Sequence, residues 1–187
     1  MTRPLRVLAV AGTRPEAVKL APLVRLLRRD PAFRVRLLAT GQHRRLFDDA
    51  LRAFRLRPDA DLRLMRPGQS PAAFLSRALA GVDRELARRP ADLVLVQGDT
   101  ASAAAGALAA FHRKVPVAHL EAGLRSGDLA APYPEELNRV AIDRVASVHL
   151  APTPAAKAAL LAEGRPAAGV FVTGNTAVDA LRLAAGR

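Results

Sequence analysis

One pattern constrains this chain more than any other: apolar runs of strand length alternate with stretches of helical periodicity from end to end. The runs fall at 5–11, 35–39, 93–97, 115–120, 148–151 and 170–172, with a weaker candidate at 62–65. Between the first two, Ala17, Leu20, Ala21, Val24 and Leu27 form one apolar stripe over 16–29, and comparable patterns fill 44–54, 71–88, 101–112, 135–146 and 154–163. Strands apolar on both faces belong to parallel sheets, and parallel neighbours need crossover connections that helices supply. The pattern therefore predicts an α/β fold, a doubly wound Rossmann-like parallel sheet covered by helices on both sides. Residues 57–71, rich in Pro, Gly and charge, read as an exposed connection, and Asn175 or Thr176 as the N-cap of a final helix.

In sheets of this kind ligands sit beyond the carboxyl ends of the strands, where helix N-termini present free N–H groups. Four strand exits there carry polar residues. After the first strand, Gly12 permits a tight turn, Arg14 offers a planar fork to an anion, and Lys19 lies one turn on; the same residues also read as a capped helix with a surface arginine. Gln42 and His43 follow the second strand, either facing the crevice or serving as cap and surface residues. Asp99 follows the strand at 93–97 and reads equally as a helix cap or as a crevice carboxylate. The exit at Leu120 is the richest, with Glu121, Arg125, Asp128, Glu135, Glu136 and Arg139 close together in sequence. Clustered carboxylates can have their proton affinities driven apart, so that one accepts a proton while another donates. The plainer alternative is that Glu135 and Glu136 favour the first turn of a helix and Arg125 pairs with Asp128.

Composition removes several classes. There are no cysteines, which excludes disulfides, thiolate nucleophiles and Cys-based zinc sites, and the four histidines show no paired spacing suited to a metal. The longest apolar runs fall short of the roughly 18 residues of a membrane span, and the first residues lead into a turn rather than a cleavage site, so a cytoplasmic protein is expected. The formal charge of +12 calls for an anionic partner. Aromatic residues make up only 4% of the chain and do not alternate with basic ones, which disfavours nucleic acid.

The segments GTRPEAVKLAPL, GQHRRLFD, RPGQ, QGDT, HLEAGLRSGD, PYPEELNR and TGNTAVDAL resemble, in this order and approximate spacing, the non-hydrolysing UDP-N-acetylglucosamine 2-epimerases. The resemblance implies one half of a GT-B architecture, two Rossmann-like domains around a cleft. Residues 1–174 would be the N-terminal domain and 175–187 a helix leading toward a second domain. It also implies interconversion of UDP-GlcNAc and UDP-ManNAc without a redox cofactor: the C2 proton is removed as UDP leaves C1, and UDP adds back to 2-acetamidoglucal with reprotonation on the other face. Asp99, Glu121 and Glu135 would be the acid/base carboxylates. Arg14 and Lys19 would face the diphosphate or sugar, and Arg125 would restrain the carboxylates. Gln42, His43, Gln69 and Glu136 would line the substrate pocket or that of a second, activating UDP-GlcNAc. The implied partners are the sugar nucleotide and either a second copy or a separately encoded second domain. Family members are about twice this length, so little or no epimerisation is expected of these 187 residues alone.

Overall fold

The computed structural model describes residues 3–41 and 44–186, and omits the side chain of Arg44. The strands are β1 (Leu5–Ala11), β2 (Phe33–Ala39), β3 (Ala60–Asp61), β4 (Leu93–Gln97), β5 (Val117–Leu120), β6 (Val148–Ala151) and β7 (Val170–Val172). They form one parallel sheet in the order β3-β2-β1-β4-β5-β6-β7. The helices are α1 (Arg14–Arg29), α2 (Arg44–Ala53), α3 (Pro71–Arg88), α4 (Ala101–His112), α5 (Glu135–Val145), α6 (Pro154–Ala162) and α7 (Thr176–Ala185). The doubly wound reading is correct, and the chain reverses direction across the sheet between β1 and β4.

Alternate residues of the central strands serve two cores, because side chains of a strand point to opposite faces. Val7, Ala9, Ala11, Leu37, Leu95 and Leu120 pack with α1 and α2, joined by Ala180 of α7. Leu8, Val10, Leu38, Val94, Val96 and Val117 pack with α3, α4 and α5. The helix α4 comes very close to the sheet, since a Cβ on Gly106 would stand 3.0 Å from Val96 and 3.2 Å from Val10. Its run of alanines is the sequence trace of that approach.

Two expectations about the elements need correction. The strand expected at 62–65 lies instead at Ala60–Asp61, two residues paired with Leu38 and Ala39, while residues 62–70 form the loop into α3. Asp99 does not cap α4. Thr100 does, its hydroxyl accepting from the Ala103 amide at 3.1 Å, and this leaves the Asp99 carboxylate free for other partners. Much of the positive charge is absorbed locally: Arg3 and Arg6 pair with Asp92, Arg28 with Asp59, Arg36 and Arg89 with Glu85, and Arg113 with Asp83.

Candidate active site

The site is built where the topology predicts a crevice, at the carboxyl ends of β1, β4 and β5. Glu121 is the first residue past β5 and holds a left-handed backbone at φ 69°, which costs a non-glycine residue about 1–2 kcal/mol. Its carboxylate repays the strain with contacts. Lys19 Nζ donates to Oε1 at 2.7 Å and Oε2 at 2.6 Å, Gln97 Nε2 donates to Oε2 at 2.6 Å, and Asn175 Nδ2 reaches Oε1 at 3.4 Å. Lys19 thus faces a carboxylate from one turn inside α1, with its ammonium partly open to solvent.

Asp99 is held at two points by α5. Arg139 donates to its carboxylate, and Asn138 Nδ2 donates to its backbone carbonyl at 2.9 Å. Glu135 opens α5 and, among the described residues, has no hydrogen-bond or ion-pair partner. It lines a cavity of about 710 Å³ together with Thr13, Pro15, Gln69, Phe74, Thr100 and Asn138. Residues 65–70, expected to lie in an exposed connection that carries Gln69, form one wall of that cavity. Gln69 is anchored there by Arg77. Asp99, Glu121 and Glu135 therefore share one edge of the sheet: Asp99 flanks the cavity residue Thr100, Glu135 faces the cavity, and Glu121 lies toward α1 and α7.

Three further residues lie around this rim. Arg14 is exposed at the start of α1 without a described partner. Glu136 is buried, accepts the Ser126 amide at 3.0 Å and lies 3.2 Å from Arg139, so its carboxylate fastens the loop after β5. Arg125 does not pair with Asp128. Its guanidinium forks onto Glu163 at 2.6 and 2.9 Å and reaches Asp143 at 2.9 Å, while Asp128 turns onto the Ala130 amide. Gln42 and His43 lie outside the described residues.

Several residues of this rim escaped sequence reasoning. Glu16 is fully buried; its Oε2 accepts the amides of Gly12 and Thr13 at 2.9 and 2.7 Å, and its Oε1 accepts the Thr100 hydroxyl at 2.6 Å, tying the β1 and β4 exits together. Burial pushes its carboxyl above the usual range, against the pull of those three bonds. A glutamate three residues past Thr13 was a legible capping signal. Asp143 is also fully buried. Burial alone would raise its carboxyl, but the hydrogen bond and charge of His119 and the charge of Arg125 outweigh it and hold the group below the ordinary aspartate range. Nothing in the local sequence around Asp143 signals this, because its partners come from distant segments.

The fold defines a class, a Rossmann-like half of a GT-B-type pair of domains, and the rim lines several carboxylates along one edge of its sheet. The family model for UDP-N-acetylglucosamine 2-epimerase matches residues 25–187. A probable UDP-N-acetylglucosamine 2-epimerase of Ralstonia solanacearum is 49% identical over 176 residues, 94% of this chain and 47% of the relative. A crystal structure of a UDP-N-acetylglucosamine 2-epimerase superposes with a TM-score of 0.94 at 46% identity, over 97% of this chain and 49% of the other. The Neisseria meningitidis enzyme bound to UDP-GlcNAc superposes with a TM-score of 0.93 at 41% identity, over 96% and 48%. The chain belongs to the UDP-N-acetylglucosamine 2-epimerase family, and it spans about half the length of the relatives it matches.

Proposed function

We propose that this chain is the N-terminal, acid/base half of a UDP-GlcNAc 2-epimerase, with residues 1–174 as the Rossmann-like domain and 175–187 as the helix leading toward a second domain. The observation that carries the reading is the gathering of Asp99, Glu121 and Glu135 from three separate segments along one edge beside an open cavity. A sugar C2 proton is weakly acidic, so its removal needs a fixed base, an acid on the opposite face and charge stabilisation for the leaving diphosphate. Glu135, unpartnered at the cavity wall, is placed to exchange a proton with substrate. Asp99 and Glu121, each held by a cation, supply carboxylates of defined orientation.

In the forward direction the C2–H bond breaks and the proton passes to a carboxylate. The C–H electron pair forms the C1–C2 double bond, and the C1–oxygen bond to UDP breaks. In the second stage a UDP oxygen attacks C1 and a proton is delivered to the other face of C2. The substrate class is supported by the UDP-GlcNAc-bound relative. Arg14 and Lys19 at the start of α1 are assigned to the diphosphate or sugar, with Gln69, Gln42 and His43 around the sugar nucleotide or a second, activating copy of it. Arg125 and Glu136 act on the loop that carries the carboxylates. The reaction needs no redox cofactor, and a cytoplasmic setting, where nucleotide sugars are made, goes with it.

A second reading makes this chain a catalytically inactive half that binds the nucleotide sugar and docks on a separate partner, either a second copy or a separately encoded domain. It is favoured by Phe171, Val172, Val178 and Leu181, which leave apolar surface exposed on β7 and α7. The deciding experiment incubates the chain with UDP-GlcNAc in D2O, alone and with the C-terminal half of a full-length relative, and follows C2 deuteration and UDP-ManNAc by NMR. Exchange in the mixture supports the acid/base half; binding without exchange in either sample supports the second reading; neither binding nor exchange refutes both.

A further inference from the structure

Below the rim, His119 and Asp143 form a fully buried pair joined at 2.6 Å between Nδ1 and Oδ1. The other ring nitrogen of His119, Nε2, stands 2.7 Å from the carbonyl oxygen of Gly98. A carbonyl can only accept, so Nε2 must carry a proton. The remaining question is where the proton between Nδ1 and Oδ1 lies. On the far side of Asp143, Oδ2 accepts the Gly123 amide at 3.0 Å and the Arg125 guanidinium at 2.9 Å, both of which favour a carboxylate. With Asp143 ionised, an unprotonated Nδ1 would set two lone pairs against each other at 2.6 Å, so the proton between them belongs on Nδ1.

We infer that His119 is a buried imidazolium donating both ring protons, and that with Asp143 it is the positioning pair for the two turns carrying Asp99 and Glu121. One arm, Nε2–H to the Gly98 carbonyl, fixes the residue before Asp99. The next carbonyl, of Asp99 itself, is fixed by Asn138, so consecutive peptides of this turn are pinned from β5 and from α5. The other arm, Asp143 Oδ2 to the Gly123 amide, fixes the turn that begins at Glu121. One ion pair thus holds both turns in a common frame. The groups facing it are Arg125 from the loop after β5, Glu163 behind Arg125, and His149 of β6, whose Nε2 donates to the Asp143 carbonyl at 3.0 Å. His149 is the contrasting case: its buried Nδ1 has no partner, as expected of a neutral ring.

The positioning role rests on the reading of the rim as an acid/base site, whereas the charge state does not. Two-dimensional NMR correlating ring nitrogens with ring protons, on the histidine-labelled chain at neutral pH, reads the charge state directly. Expected are two protonated ring nitrogens with directly bonded protons for His119, and one bare nitrogen for His149. A bare nitrogen on His119 overturns the inference. In Asp143→Asn the carboxylate charge is lost while an oxygen acceptor remains, so His119 should shed one proton, and the backbone amides of Asp99 and Gly123 should shift while those of Val7 and Val24 stay in place. Unmoved Asp99 and Gly123 signals in a folded variant overturn the positioning role. Should that variant not fold, His119→Leu, which removes both ring donors, gives the same amide readout.

Discussion

Lys19 lays its ammonium across both oxygens of Glu121, at 2.7 and 2.6 Å, although the two residues are separated by 102 positions in sequence. The contact joins the first turns of α1 to the exit of β5 and sets which way the carboxylate faces. Lys19→Ala is expected to lower C2 deuterium exchange, measured with the second half of a relative supplied, by roughly 100-fold, the penalty of a misplaced reacting group. Exchange within a few-fold of the parent would remove Lys19 from the machinery.

Glu135 offers the cleanest separation of activity from stability, because no described residue bonds to its side chain. Glu135→Gln should leave unfolding free energy within about 0.5 kcal/mol while reducing C2 exchange by roughly 10²–10⁴-fold, the usual worth of an acid/base group. Urea titration and deuterium exchange on one preparation test both halves of the statement.

Acid sensitivity should trace to Asp143. Its folded-state affinity for a proton is lowered, so the stability it contributes is fully present above its unfolded pKa of about 3.9 and is lost as pH falls through the lower folded value. Asp143→Asn should cost about 3–5 kcal/mol near neutrality, since it removes the buried carboxylate on which His119 and Arg125 converge. The gap between the parent and the variant should close as the solution is acidified below that value. Urea unfolding curves over a pH series would show a constant gap if Asp143 is not the titrating group.

Two glycines with nearly equal φ should respond differently to alanine. Gly123 has φ +85° and a Cβ there would meet the Ala156 carbonyl oxygen at 2.3 Å, whereas Gly127 has φ +83° and open space. Gly127→Ala should cost about 1 kcal/mol of backbone strain, and Gly123→Ala should cost more than about 3 kcal/mol, because a backbone carbonyl must also move. Equal losses in thermal unfolding would mean that the loop after β5 is not seated on α6 as described.

The strands and helices were legible because each is long enough to repeat its own period: the expected bounds of β1, β4, β6, β7, α3 and α4 coincide with the observed ones. The strand β3 was misplaced because two residues carry no period, and its pairing with Leu38 and Ala39 is decided by neighbours remote in sequence. Asp99, Glu121 and Glu135 were legible through residues near them in sequence, and their common edge follows from the topology. What stayed hidden was the scaffolding beneath. His119, Asp143 and Gln97 are ordinary-looking residues in largely apolar contexts, and Glu16 reads as a local cap; only the fold reveals that each bonds across to another segment. Thr100 also took the capping role that its neighbour Asp99 was equally suited to fill, a choice made by one residue of register.

Asn175 occupies two posts at once. Its Oδ1 caps α7 through the Ala177 amide at 2.9 Å, and its Nδ2 points to Glu121 at 3.4 Å. One exposed amide group thus ties the opening turn of the last helix to a carboxylate at the exit of β5, 54 positions earlier in the chain.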